Sequence, residues 1–285
     1  MRPPPFDSAR ASNRRRLCGG MVAAAVASAG AALAARGAPV MARKSALVIG
    51  NSRYKGSPLR NPVADAQAVA ASLQSLGFDV ELHEDTTLRE LIESLRAFVL
   101  RAADSDVRVL FYAGHGVQAR GRNYLLPVDT EPQSEDEIAG QSADIGEFVD
   151  RLGQIHRGIN VVILDACRVN PFAAGVVVGP DGRRLKFRGV APAGLARLDA
   201  PLGTLVAFST GPGGVALDGT GGGHSIYAKH LLANLATPGL ALEQMFKRVR
   251  VGVAEETARA QVPWESSSLT GDFCFRPGRD GACGG

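Results

Sequence analysis

Close cysteine pairs are missing from this chain. Its four cysteines, Cys18, Cys167, Cys274 and Cys283, form no CxxC motif and no Cys/His spacing, which excludes a zinc signature. Positive charge is missing from the body. The net charge of +4 originates at the N-terminus, where residues 1–42 carry six arginines against one aspartate, a net +5 that leaves −1 for the remainder. A nucleic-acid-binding or anionic-membrane reading of the body therefore has no support. Phosphate-cradling motifs are missing too: Gly50-Asn-Ser-Arg-Tyr-Lys-Gly56 has neither the Walker nor the GxGxxG spacing. Ser209-Thr-Gly-Pro-Gly is not a GxSxG elbow, which weakens a serine hydrolase reading. There are no internal repeats, and outside the N-terminal leader no apolar stretch is long enough to cross a bilayer.

What is present is a 285-residue chain with 45% hydrophobic and 21% charged residues. That is enough to bury the core of one large α/β domain without disulfide staples. Residues 1–42 read as an export signal. Arg14-Arg15-Arg16 ends a polar segment and Met21 to Ala35 is an uncharged Ala-rich run. Ala32-Leu33-Ala34 and Val40-Met41-Ala42 both offer small residues to a signal peptidase, and cleavage after Ala42 is preferred because the first strand begins just beyond it. The Arg-Arg-Arg-Leu start leans toward the twin-arginine route. The alternatives are an uncleaved anchor or a misassigned start. Export places the remaining protein in the periplasm or outside the cell, where Cys274 and Cys283, nine residues apart, either pair or stay as two thiols on a fraying tail.

Periodicity predicts alternating strands and helices. Strands are expected at 45–50, 78–83, 107–112, 159–164 and 203–209, and a last short one at 272–275. Helices are expected at 63–76, 87–102 (capped by Thr86 or Thr87), 145–152, 225–235 and 242–256. Continuous apolar strands between helices indicate a parallel sheet covered on both faces. Residues 169–202, rich in Gly, Pro and Ala, are expected to form a long exposed loop carrying Arg183, Arg184, Lys186 and Arg188. The expected organisation is one domain over 43–276, with a large half (45–168), this loop, a small half (203–276) and a flexible tail from 277.

Active sites of such sheets collect at the carboxyl ends of the strands. Two strands end on chemistry: one in Gly114-His115-Gly116, the other in Asp165-Ala166-Cys167. An imidazole beside a thiol lowers the thiol pKa and later protonates a leaving amine. The backbone N–H groups of Gly116 and Cys167 are the candidate oxyanion donors. No cofactor or metal is expected.

Tyr112-Ala-Gly-His-Gly-Val-Gln118 and Leu164-Asp-Ala-Cys-Arg168 resemble the His and Cys motifs of the caspase/metacaspase superfamily. The His precedes the Cys by 52 residues, close to the spacing of about 50 in caspases. The likeness covers most of 45–276 and includes Ala46-Leu-Val-Ile-Gly-Asn51, Leu126-Pro-Val-Asp129, Gly203-Thr-Leu-Val-Ala-Phe-Ser-Thr210 and Val262-Pro-Trp-Glu-Ser-Ser-Ser268. The last two resemble the small-subunit half of bacterial orthocaspases. The resemblance implies the caspase–haemoglobinase fold, a mostly parallel sheet of about six strands between helices. It also implies a cysteine endopeptidase with Cys167 as nucleophile and His115 as acid–base partner.

Caspases carry Gln where this chain has Asp165; metacaspases carry Asp there and cleave after Arg or Lys. Asp65 matches a second pocket acid of that pattern, and Asp144 aligns loosely as a third. A carboxylate attracts a guanidinium and repels an Asp side chain, so cleavage after Arg or Lys is expected. For Asp65 the competing reading is a charge favoured by a helix N-terminus. Ala113 stands where metacaspases carry Ser, and Arg168 where they carry His. Calcium dependence does not carry over, because no clear acidic site is found. The expected partner is a peptide or protein, and the basic loop offers sites for self-cleavage. The alternative is a catalytically silent caspase-fold binding module.

Overall fold

A computed structural model describes residues 42–166, 175–178, 184–187, 198–211, 216–217 and 223–283, with the backbone alone for 175–178 and 184–187. The central sheet has six strands: β1 (Lys44–Gly50), β2 (Asp79–Glu84), β3 (Val107–Gly114), β7 (Ile159–Ala166), β10 (Thr204–Phe208) and β11 (Trp264–Ser267). They lie in the order β11-β10-β7-β3-β1-β2. All neighbours are parallel except β10 and β11. A mostly parallel α/β sheet of about six strands is therefore what the chain builds.

β1 beyond Ser45 and β3 beyond Arg108 are apolar runs because both of their faces are covered. Ala46 and Val48 of β1 pack with α1 (Pro62–Ser75), α5 (Ile226–Leu235) and α6 (Leu242–Glu256). Leu47 and Ile49 pack on the other face with α2 (Leu88–Arg101) and α4 (Ile145–Gly153). This is the period-2 alternation of a strand, with both faces apolar. α1 lies so close to β1 that a Cβ on Gly50 would meet Pro62 O at 2.5 Å. α2 starts with a capping box: Thr87 Oγ1 accepts from Glu90 N, and Glu90 Oε2 accepts from Thr87 N at 2.9 Å. Thr86, the other cap candidate, instead donates to Asn51 Oδ1 through its backbone and hydroxyl.

Several expectations need correction. A second sheet follows β3, built from β4 (Gly116–Ala119), β5 (Arg122–Leu125) and β6 (Ala143–Asp144), with α3 (Glu135–Gln141) leading into β6. Residues 169–202 are not loop throughout: β8 (Gly175–Val178) and β9 (Arg184–Phe187) pair antiparallel. The Val-Val-Val run has the β-branched character that favours a strand. Residues 272–275 are not the last strand. Phe273 O accepts from Leu242 N at 2.7 Å and Arg276 O from Gly239 N at 2.8 Å, so this segment satisfies the start of α6. Trp264–Ser267 forms the sheet edge in its place. Residues 277–283, expected to begin a flexible tail, are tied back by a Cys274–Cys283 disulfide. Among the described residues, no helix is long and apolar enough to cross a membrane.

Candidate active site

β3 and β7 are parallel neighbours, and their last register partners are Ala113 with Asp165 and Gly114 with Ala166. The next residue along the chain is His115 on one strand and Cys167 on the other. Cys167 and Arg168 lie outside the described residues.

His115 is held from several directions. Its backbone N–H donates to Tyr54 Oη at 2.9 Å, and its carbonyl accepts from Tyr112 Oη at 2.8 Å. The two phenol oxygens are 3.2 Å apart and both reach Leu126 O. Burial pushes both phenols up from their ordinary pKa, so they act as neutral hydrogen-bonding posts. The His115 ring packs against Tyr54 with centroids 4.3 Å apart. Its Nε2 lies 2.8 Å from Ser57 O. A carbonyl only accepts, so Nε2 carries the proton of the neutral ring and Nδ1 is the basic nitrogen. Gly114 makes this packing feasible. Its φ is +156°, and a Cβ there would meet Tyr54 Oη at 2.6 Å and Tyr112 Oη at 2.8 Å.

Gly116 faces Leu125 across β4 and β5, while Leu126 N donates to His115 O at 3.0 Å. Gly116 and Leu125 are thus a pair that exchanges no ladder bonds. The Gly116 N–H points away from β5, on the outer side of an edge strand.

Asp165 and Asp65 come together although they are a hundred residues apart in sequence. Alternation along β7 puts Asp165 on the α1/α5 face with Val161 and Ile163. Ser225 caps α5, accepting from Ala228 N, and its hydroxyl donates to Asp165 Oδ2 at 2.5 Å. The Ser225 backbone N–H reaches Asp65 Oδ2 at 3.1 Å and Oδ1 at 3.3 Å. His224 Nδ1 completes the chain of contacts 2.7 Å from Asp65 Oδ1. Asp65 is 1% exposed. Burial raises its carboxyl pKa, against the lowering effects of Ser225 and His224. Asp65 sits in the first turn of α1, yet its side chain is spent on α5. The helix-end reading of this residue is therefore incomplete. No arginine or lysine pairs with it among the described residues.

Asp144 is not brought to this pair. It caps α4 by accepting from Gly146 N at 2.8 Å and Glu147 N at 3.3 Å, and it pairs with Arg122 Nε at 2.7 Å. The α4 helix covers the opposite face of the sheet from α1 and α5. A cap with its own arginine has its charge already answered, which removes the reason to assign it to a substrate cation. Of the four basic loop residues, Arg184 and Lys186 lie in β9, and Arg183 and Arg188 lie outside the described residues.

A Caspase domain model matches residues 43–274, most of the chain. The chain belongs to the caspase-domain family. It is similar to the mucosa-associated lymphoid tissue lymphoma translocation protein 1 of Homo sapiens, with 31% identity over 133 residues. It is similar to the Mus musculus homologue at 31% over 135 residues. Each match covers 46% of this chain and 16% of the relative, so the chain corresponds to a small part of either protein.

Sequence reading placed His115, Gly116, Asp165 and Asp65 on this caspase domain but missed Tyr54, Ser57, His224 and Ser225. Tyr54 was visible only as part of a Gly-flanked segment weighed for phosphate binding. Ser225 was visible only as the start of a helix. Their partners lie between 58 and 160 residues away, and no local pattern encodes such contacts.

Proposed function

We propose that this caspase domain is a cysteine endopeptidase that cleaves after Arg or Lys. Cys167 is the nucleophile and His115 takes its proton at Nδ1, the nitrogen left basic by the Nε2–H contact with Ser57 O. The N–H groups of Gly116 and Cys167 stabilise the oxyanion as the tetrahedral adduct forms. His115 then protonates the leaving amine, and water hydrolyses the acyl-thioester. The register of Gly114 with Ala166 supports pairing these two residues in one site, since each precedes one of them.

The observation that carries the preference is the Asp65–Ser225–Asp165 chain of contacts. Two carboxylates share one serine at the carboxyl end of β7, and Asp65 is buried with no Arg or Lys partner among the described residues. Such a pair attracts a guanidinium or ammonium and rejects an acidic side chain. Ser225 and His224 do not make a serine-protease triad. The Ser225 hydroxyl donates to Asp165 and accepts from Ala228, while His224 contacts Asp65.

The test is a set of fluorogenic peptides ending in Arg, Lys, Asp or Leu, with Cys167→Ala as the blank. Turnover of the Arg and Lys peptides by wild type alone supports the reading. No turnover of any of them favours the silent binding module. The Cys274–Cys283 disulfide and the arginine-bearing leader both favour a mature domain outside the cytoplasm. Self-cleavage belongs to the same reading. Arg184 and Lys186 have ladder partners in β8, and Arg183 and Arg188 lie outside the described residues. Equal intact masses for wild type and Cys167→Ala would refute it.

A further inference from the structure

The buried carboxylate that would receive a substrate cation already has an occupant. His224 Nδ1 lies 2.7 Å from Asp65 Oδ1, and the His224 side chain is 36% exposed against 1% for Asp65. The imidazole therefore stands between solvent and the acid. Its backbone is fixed because the next residue, Ser225, is both the cap of α5 and the bridge between the two aspartates. We propose that His224 is a specificity-determining residue of the acidic pair: in its charged form it competes with the guanidinium or ammonium of a substrate for Asp65, and in its neutral form it yields the carboxylate. This rests on the basic-residue preference proposed above.

The charges around His224 make the competition direct. Asp65 faces it from α1. Asp165 of β7 lies one serine further in. Tyr227 of α5 is buried, its pKa raised by burial and then by the Asp165 charge, so it stays neutral. Behind Tyr227, Arg250 of α6 is engaged by Glu265 of β11 and by Pro263 O. His224 is thus the imidazole in contact with the pair among the described residues. A neutral imidazole donates one hydrogen bond to Asp65 and leaves that carboxylate's negative charge for a substrate. An imidazolium keeps the hydrogen bond and cancels that charge. Imidazoles as a class change charge between about pH 5 and 8.

The test uses the full chain, wild type and His224→Gln, with benzamidine as the cationic probe. Gln keeps an N–H for Asp65 but carries no charge. Binding is measured by calorimetry at about pH 6 and about pH 8, and KM and kcat for an Arg peptide are measured at the same two values. Wild type is expected to bind benzamidine about tenfold more weakly at the lower pH, with KM rising in parallel. The His224→Gln variant is expected to change by about twofold or less. His224→Lys, with a fixed charge, is expected to bind weakly at both pH values and serves if the Gln variant does not fold. A merely structural histidine would shift stability and leave the pH profile of binding unchanged. Identical pH dependence in wild type and His224→Gln, or no benzamidine binding at either pH, overturns the proposal. If Arg peptides are cleaved with identical profiles, this inference fails while the peptidase reading stands. If no peptide is cleaved but benzamidine binding shows the His224-dependent shift, the peptidase reading fails and this inference stands.

Discussion

The two ends of one sheet both bury charge, and they answer it differently. At the amino end, Arg108 of β3 is 0% exposed. Its Nε donates to Asn160 Oδ1 at 2.8 Å, and its two terminal nitrogens donate to the carbonyls of Ser105 and Arg157. Asn160 in turn donates to Thr204 Oγ1 at 3.0 Å. This guanidinium is pinned by neutral groups of the fold and sealed from solvent. At the carboxyl end, Asp65 is as deeply buried, but one of its partners is a partly exposed imidazole. The first arrangement is closed and stitches β3, β7 and β10 together. The second keeps a route to solvent and a negative charge that the fold only half answers. A buried charge satisfied by fixed backbone is a structural device; one left raised in pKa and reachable is a candidate for binding.

The largest expected effect breaks the carboxyl end alone. His115→Ala should lower kcat for Arg peptides about a thousandfold while circular dichroism shows an intact fold. At the amino end, Arg108→Met leaves two carbonyls and the Asn160 side chain without their donor. It should cost about 3 kcal/mol in a urea titration, with unchanged activity per folded molecule.

Asp65→Asn separates binding from stability. It should lower kcat/KM for Arg peptides about a hundredfold, with a smaller loss for uncharged peptides. Its effect on stability has the opposite sign. The Asp65 pKa is raised in the folded state, so between its ordinary value of 3.8 and that raised value the folded protein holds more protons than the unfolded chain. Stability therefore falls as pH rises through that window. Above it the buried charge is a standing cost, which asparagine removes. The Tm of Asp65→Asn at neutral pH should equal or exceed that of wild type, measured by calorimetry.

The smallest effect touches neither end. Replacing Cys274 and Cys283 together by Ser should lower stability by about 2 kcal/mol, read from denaturant midpoints, with peptide cleavage retained.

How much of this was legible in the sequence follows from the physics of each element. β1, β3, β7 and β10 are buried on both faces, so their apolar runs announce them. The β4–β6 sheet escaped because its strands span four, four and two residues and mix polarities, as in Gly116-Val-Gln-Ala119. β11 escaped because Trp-Glu-Ser-Ser has no alternation and is defined by its pairing with β10. Of the candidate site, His115 and Asp165 were legible because they close apolar strands, and Asp65 was legible by family resemblance. The Ser225 bridge was not, because a contact between α1, β7 and the start of α5 exists only once the sheet has formed.

The central claim is that an acidic pair joined through Ser225 directs a Cys167 peptidase to basic residues. Its most direct test is mass-spectrometric mapping of cleavage products from a peptide library with every residue type before the scissile bond, using wild type against Asp165→Asn. The account predicts that wild-type cuts follow Arg and Lys and that this preference collapses in Asp165→Asn. Wild-type cuts after Asp, or an unchanged preference for Arg and Lys in Asp165→Asn, would contradict it.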